Sequence, residues 1–198
     1  MASNNSINNR SNSLSINGAY SLPTVDGLAG QLLMTNGSGT VSWGGYSGQI
    51  AQTVSVSSSS VITITSLIPI DNTIPQISEG NHVLTLNITP KSATNVINVS
   101  WNFCGSASGN AVTFVEAFFF NGNTNAFYAN VAGSSAGGSG DCHDGGIFSF
   151  VPNTTSASTI EFRMGVDAHT LYINGTSSGG GLFGGILTIN MTAQEIRT

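Results

Sequence analysis

Residues 83–88, Val83-Leu84-Thr85-Leu86-Asn87-Ile88, alternate apolar and polar side chains, so an extended chain puts Leu84, Leu86 and Ile88 on one face. Residues 186–191, Ile186-Leu187-Thr188-Ile189-Asn190-Met191, repeat the pattern with Leu187, Ile189 and Met191. A strand with one dry and one polar face belongs to a sheet packed on one side only.

Around these two stretches, strand-like runs recur at 53–57, 61–67, 82–88, 96–103, 111–120, 124–132, 146–151, 159–166, 169–173 and 185–192. Short strands at near-regular spacing, divided by turn residues, indicate an antiparallel sandwich or barrel. No segment after residue 52 sustains a helical period with caps. Asn121-Gly122 and Asn174-Gly175 predict type I′ turns, which need positive φ at both central residues. Residues 133–144, GSSAGGSGDCHD, read as a long loop. The run 111–120 holds Phe114, Val115, Ala117, Phe118, Phe119 and Phe120 and is apolar on both faces, which predicts cover from a subunit interface. Glu116 interrupts it and must reach solvent or a partner such as Arg163, because an unpaired buried carboxylate is costly.

The composition fits this picture. Charged residues are 7% of 198, against about 25% in an average soluble domain, while 39% are apolar. Ser, Thr, Asn and Gly must therefore supply the surface, and the recurring apolar runs argue against disorder. The net charge is −5, and Arg10, Lys91, Arg163 and Arg197 are the only fixed cations, too few to form a phosphate-binding stripe. Nucleic acid and anionic membranes are excluded as partners. No apolar run reaches the roughly 20 residues of a membrane span, and the first residues lack a signal-peptide pattern, which predicts a protein made in the cytoplasm. Cys104 and Cys142 form no disulfide framework; they read as buried or free thiols, with a bond between them as the alternative.

Three parts follow along the chain. Residues 1–17 are a Ser/Asn-rich tail, either flexible or ordered against a larger assembly. Residues 18–48 alternate short apolar pieces with turn signals and are too poor in apolar residues for a core of their own. After the Gly-rich joint at 44–48, residues 49–198 form the head.

The middle part, GAYSLPTVDGLAGQLLMTNGSGTVSW, resembles a segment A-Y-x-L-P-x-x-D-G-x-x-x-Q-x-L-x-T-(N/D)-G-x-G-x-V-S-W of phage tail-fibre and other virion fibre proteins, matched over residues 19–43. Residues 68–99 and 171–196 also look like the head that follows that segment in phage structural proteins. The resemblance implies a homotrimer on the virion surface, made in the host cytoplasm. It implies an extended β-rich N-terminal attachment segment and an all-β, antiparallel jelly-roll-like sandwich head as a trimeric knob. The chain lacks the long shaft of a typical fibre, which points toward a short spike.

No cofactor, metal or catalytic centre is expected. Asp141-Cys142-His143-Asp144 is the one dense cluster of possible ligands, but adjacent residues diverge and zinc spacings leave gaps between ligands. Three copies of His143 or Asp144 meeting on a trimer axis are the one arrangement that would gather ligands. A glycosidase pair is not visible among nine acidic residues. The Gly-rich pieces at 179–181 and 184–185 lack a phosphate-loop context and read as close-packed turns. His82 and His169 read as surface or structural residues. For attachment to a host glycan or protein, the expected contacts are Tyr128, Asp141, His143, Asp144 and Tyr172; for other virion proteins, Ile7, Leu14, Tyr20 and Leu22. The alternative function is capsid or vertex decoration with a purely structural role.

Overall fold

The computed structural model describes residues 15–16, 19–28, 30–45, 47–109, 112–133 and 141–198. The chain forms two units, one running to Gln49 and including Arg197–Thr198, the other Ile50–Ile196. The last two residues join the N-terminal unit through bonds from Arg197 N–H to the Gln49 carbonyl and from Gly48 N–H to the Arg197 carbonyl, both 2.8 Å.

In the N-terminal unit, β1 (Ser15–Ile16) pairs with β2 (Tyr20–Ser21) and β3 (Leu32–Thr35) pairs with β4 (Val41–Gly44), all antiparallel. The β3–β4 turn is held by Asn36, whose Oδ1 accepts from Ser38 and Thr40 N–H at 2.8 and 3.1 Å. The Trp43 indole N–H donates to the Val25 carbonyl at 2.8 Å, and its ring lies where a Cβ on Gly27 would come within 2.5 Å. The Asp-Gly and Trp of the recognised segment are thus one contact. None of residues 19–28, 30–45, 47–49 and 197–198 is buried, and Val25 and Leu28 are more than 70% exposed.

The head contains β5 (Ile50–Ser58), β6 (Ile62–Ile64), β7 (Asn81–Ile88), β8 (Val96–Ala107), β9 (Thr113–Phe120), β10 (Tyr128–Gly133), β11 (Asp141–Phe150), β12 (Ser158–Val166), β13 (Leu171–Ile173) and β14 (Ile189–Ile196), with one 3₁₀ turn at Phe183–Gly185. One sheet runs β10-β9-β12-β7; the other runs β11-β8-β14-β5, with β13 and β6 continuing beyond the end of β14. All pairs of named strands are antiparallel. The chain crosses between sheets at β6–β7, β7–β8, β8–β9, β10–β11, β11–β12 and β12–β13, the repeated crossing of a jelly roll. The all-β, jelly-roll-like sandwich expected from sequence is the observed fold.

Alternation explains the core. Leu84, Leu86 and Ile88 of β7, with Ile189, Met191 and Ala193 of β14, point between the sheets and are at most 5% exposed. Phe118 stacks on Phe162 with centroids 4.5 Å apart, and Trp101 tilts against Phe118 at 4.7 Å.

Several expectations are corrected. The outer face of β9, Val115, Ala117 and Phe119, is covered by the chain's own segment 67–80 through Ile68 and Ile77, not by a subunit. That segment is tied down by Gly80 N–H to Leu67 O and Ala126 N–H to Pro75 O, and it lies so close to β12 that a Cβ on Gly165 would strike the Ile68 backbone. Residues 141–144 are not loop but the start of β11, because β8 continues to Ala107 and offers them partners up to Ser106. Gly145 and Gly146, inside β11, lie against Trp101, where added Cβ atoms would come within 2.5 Å of its carbonyl and 2.7 Å of its ring. Asn121-Gly122 does form a turn with φ of 53° and 68°, yet β9–β10 pairing starts only at Phe118 with Tyr128. Asn174 has φ of 59° but Gly175 is not at positive φ, so no type I′ turn forms; instead the Asn174 amide donates to the carbonyls of Ser58 and Ser60.

Glu116 is fully buried and does not meet Arg163. Its carboxylate accepts from the Trp101 indole at 2.9 Å and from Asn130 Nδ2 at 3.1 Å. Arg163 instead pairs with Glu161 at 2.7 Å and donates to the carbonyls of Glu79 and Gly80. Cys104 and Cys142 are in no disulfide; adjacent-strand alternation puts them on opposite faces.

Candidate functional site

The head has two distinct ends. Ile50, Val96 and Ile196 lie together where the chain enters and leaves, since Ile196 pairs with both others. The opposite end collects Ser58, Ala107, Asp141 and Leu171, through the pairs of Ala107 with Leu171 and Ser106 with Asp141. Of the sequence-selected residues, Asp141, His143, Asp144 and Tyr172 all lie toward this far end, flanking the last turns of β8.

Here the outer face of the β11-β8-β14-β5 sheet is a ladder of uncharged polar groups. Ser149 donates to Asn98 Oδ1 at 2.7 Å, and Ser55 and Thr192 hydroxyls meet at 2.9 Å. Asn102 pairs across to Asn190 on one side and Gly145 on the other, and Cys104 pairs with His143. Toward the far end the ladder opens into a groove of about 630 Å³ lined by Asn102, Cys104, His143, Leu187, Thr188 and Asn190, with Asp144 in its wall. The Asp144 carboxylate accepts from the Gly145 N–H at 2.7 Å.

Beside the groove rises the β13–β14 connection. Its base is fixed by Asn174 N–H to the Cys104 carbonyl at 2.8 Å and Leu182 N–H to the Asn174 carbonyl at 3.3 Å. Its tip carries Phe183 and Ile186, 72% and 82% exposed. Phe183 sits at φ of 49°, a left-handed conformation that a bulky side chain seldom adopts. Tyr172 is half-buried, with Gly179 against its ring.

Tyr128 is elsewhere. It stacks on Phe148 at 4.3 Å on the flank where β10 and β11 are the free sheet edges, among Phe120, Phe127 and Phe150. Val131 on β10 and Ile147 on β11 are 52% and 66% exposed. Tyr20 is exposed and Leu22 half-buried in the N-terminal unit; Ile7 and Leu14 lie outside the described residues, as does the Asp141 side chain.

Two carboxylates lie wholly inside the head. Burial, with a smaller push from the Asp144 charge, raises Glu116 from 4.5 to about 7 against the pull of its two donors. Glu195 also loses water on burial, but Lys91 N–H, Gln52, Asn95 and Ser92 N–H all donate to it and hold it below the ordinary range. Its role is to close the β7–β8 connection at the entry end. Among the described residues no group of three or more His, Cys, Asp or Glu could hold a metal, and no helix is long and apolar enough to cross a membrane.

Asn102, Thr188, Asn190, Phe183 and Ile186 were not singled out from sequence. Their signal was present as polar alternation in two strands and as an apolar pair within glycines, but neither marks a groove until the strands are paired.

No family model and no curated protein matches the chain. Among solved structures it is similar to an Eiger TNF from S. frugiperda, at 8% identity and a TM-score of 0.44, covering 75% of this chain and 94% of that one. It is also similar to a chain of the infectious bursal disease virus Gt strain, at 10% identity and a TM-score of 0.35, covering 80% of this chain and 40% of that one. These likenesses concern the fold alone.

Proposed function

We propose that the protein is a homotrimeric virion surface spike of the phage fibre type, whose jelly-roll head attaches to the host cell surface. The observation that carries this is the polarity of the head: the chain enters and leaves at one end, while the groove and the exposed Phe183 and Ile186 lie toward the other. The segment at 19–43 that resembles virion fibre proteins supports a virion role, and the absence of any buried residue among 19–28, 30–45 and 47–49 supports assembly with copies or neighbours. Trimer contacts are assigned to the β10/β11 flank, where two free edge strands and exposed Val131 and Ile147 need cover.

Binding of the full chain to host cells, with competition against virus infection, tests attachment; failure of both would favour structural decoration instead. Light scattering tests the assembly. The expected mass is three times the 20.3 kDa chain, and Val131→Arg with Ile147→Arg should reduce it to one. A stable wild-type monomer would overturn the trimer.

A further inference from the structure

We infer that the far-end groove binds an uncharged saccharide, with Phe183 and Ile186 as its apolar wall; this rests on the attachment role proposed above. Its volume, about 630 Å³, falls within the range of small-ligand sites. The amides of Asn102 and Asn190 and the Thr188 hydroxyl each both give and accept hydrogen bonds, which is what a sugar hydroxyl, itself donor and acceptor, requires. Leu187 and the exposed tip offer apolar surface to the C–H face of a sugar ring.

Charge decides between saccharide classes. No Lys or Arg stands at the groove: Lys91 belongs to the β7–β8 connection at the entry end, and Arg163 is spent on Glu161, Glu79 and Gly80. Arg197 belongs to the N-terminal unit and Arg10 precedes the described residues. A sialylated, sulfated or phosphorylated ligand would bring an anion into a groove with no Lys or Arg to pair it, and that unpaired charge discriminates against it. The tip is also held in shape: Gly185 N–H bonds to Leu182 O at 3.0 Å, and Phe183 stays in a costly backbone conformation, as residues displayed for contact often do.

The test is an array of neutral oligosaccharides with their sialylated, sulfated and phosphorylated counterparts, probed with the full chain. Calorimetry on the best neutral binder follows. Neutral sugars should bind, with charged counterparts at least about tenfold weaker. Asn102→Ala with Asn190→Ala should cost about tenfold or more. Phe183→Gly should weaken binding while the thermal midpoint holds or rises, since glycine takes positive φ freely. Equal or tighter binding of charged sugars, or neutral binding that survives the double substitution, would overturn the inference. If no sugar binds while the chain still adheres to host cells, the ligand class is wrong and attachment stands; if it adheres to neither, attachment falls as well.

Discussion

The two units of this chain use the same vocabulary of short antiparallel strands and reach opposite results. The head has a continuous apolar interior from β5 to β14, whereas none of residues 19–28, 30–45 and 47–49 of the N-terminal unit is buried. Strand pairing is common to both, so pairing is not what separates them. The difference is a second layer: the head's sheets exclude water from each other's inner faces, and among the described residues of the N-terminal unit the β3–β4 hairpin, bridged to β2 at Ser21–Thr40, has no facing sheet to do so. A head with a core of its own and a segment with little core are the physical consequence.

The largest expected break in that contrast is Phe118→Ala. Phe118 is fully buried against Trp101, Phe148 and Phe162, and its loss should cost about 3 to 5 kcal/mol in denaturant unfolding. The matching change in the other unit, Trp43→Ala, should leave the head's unfolding where it was. A comparable loss there would show that the units are not energetically separate.

Glu116→Gln probes the interior from the polar side. Below pH 4.5 folded and unfolded chains both carry the Glu116 proton. Between 4.5 and about 7 only the folded chain keeps it, so stability falls as pH rises, by about 3 kcal/mol in all. The Gln variant should lose this slope and be the more stable protein at pH 8; a wild-type stability that stays flat from pH 5 to 8 would contradict the assignment. Glu195, held below the ordinary range by its donors, works with the opposite sign: its contribution is present above pH 4.5 and is lost as pH falls through its depressed value.

Gly165→Ala is a smaller test. The added methyl meets the Ile68 backbone, lifting the 67–80 segment that covers β9, at about 1 to 3 kcal/mol. Hydrogen exchange should rise first in that segment, and protection left unchanged would mean that another element provides the cover. Smallest of all is Gly27→Ala, which displaces the Trp43 ring and should change its fluorescence without moving the head's thermal midpoint.

How much of this was legible depended on the range of the signal. The alternation in 83–88 is local, so the dry face of β7 could be read directly, and each of the ten strand-like runs overlaps a strand; the run at 185–192 holds only from Ile189, because a 3₁₀ turn precedes it and Leu187 lines the groove instead of the core. The composition likewise determined an uncharged surface with few cations, and with it the kind of partner that surface can reject. What the tertiary structure alone decided were the meetings of residues distant in sequence. Residues 141–144 read as loop until β8 is placed beside them, and Glu116 was matched to Arg163 until β8 and β10 brought Trp101 and Asn130. The groove arose in the same way, from β8, β11 and β14 laying Asn102, His143 and Asn190 side by side. A period of two residues fixes which face a side chain takes, but its neighbours on that face are set by sheet order, which depends on packing the whole chain at once.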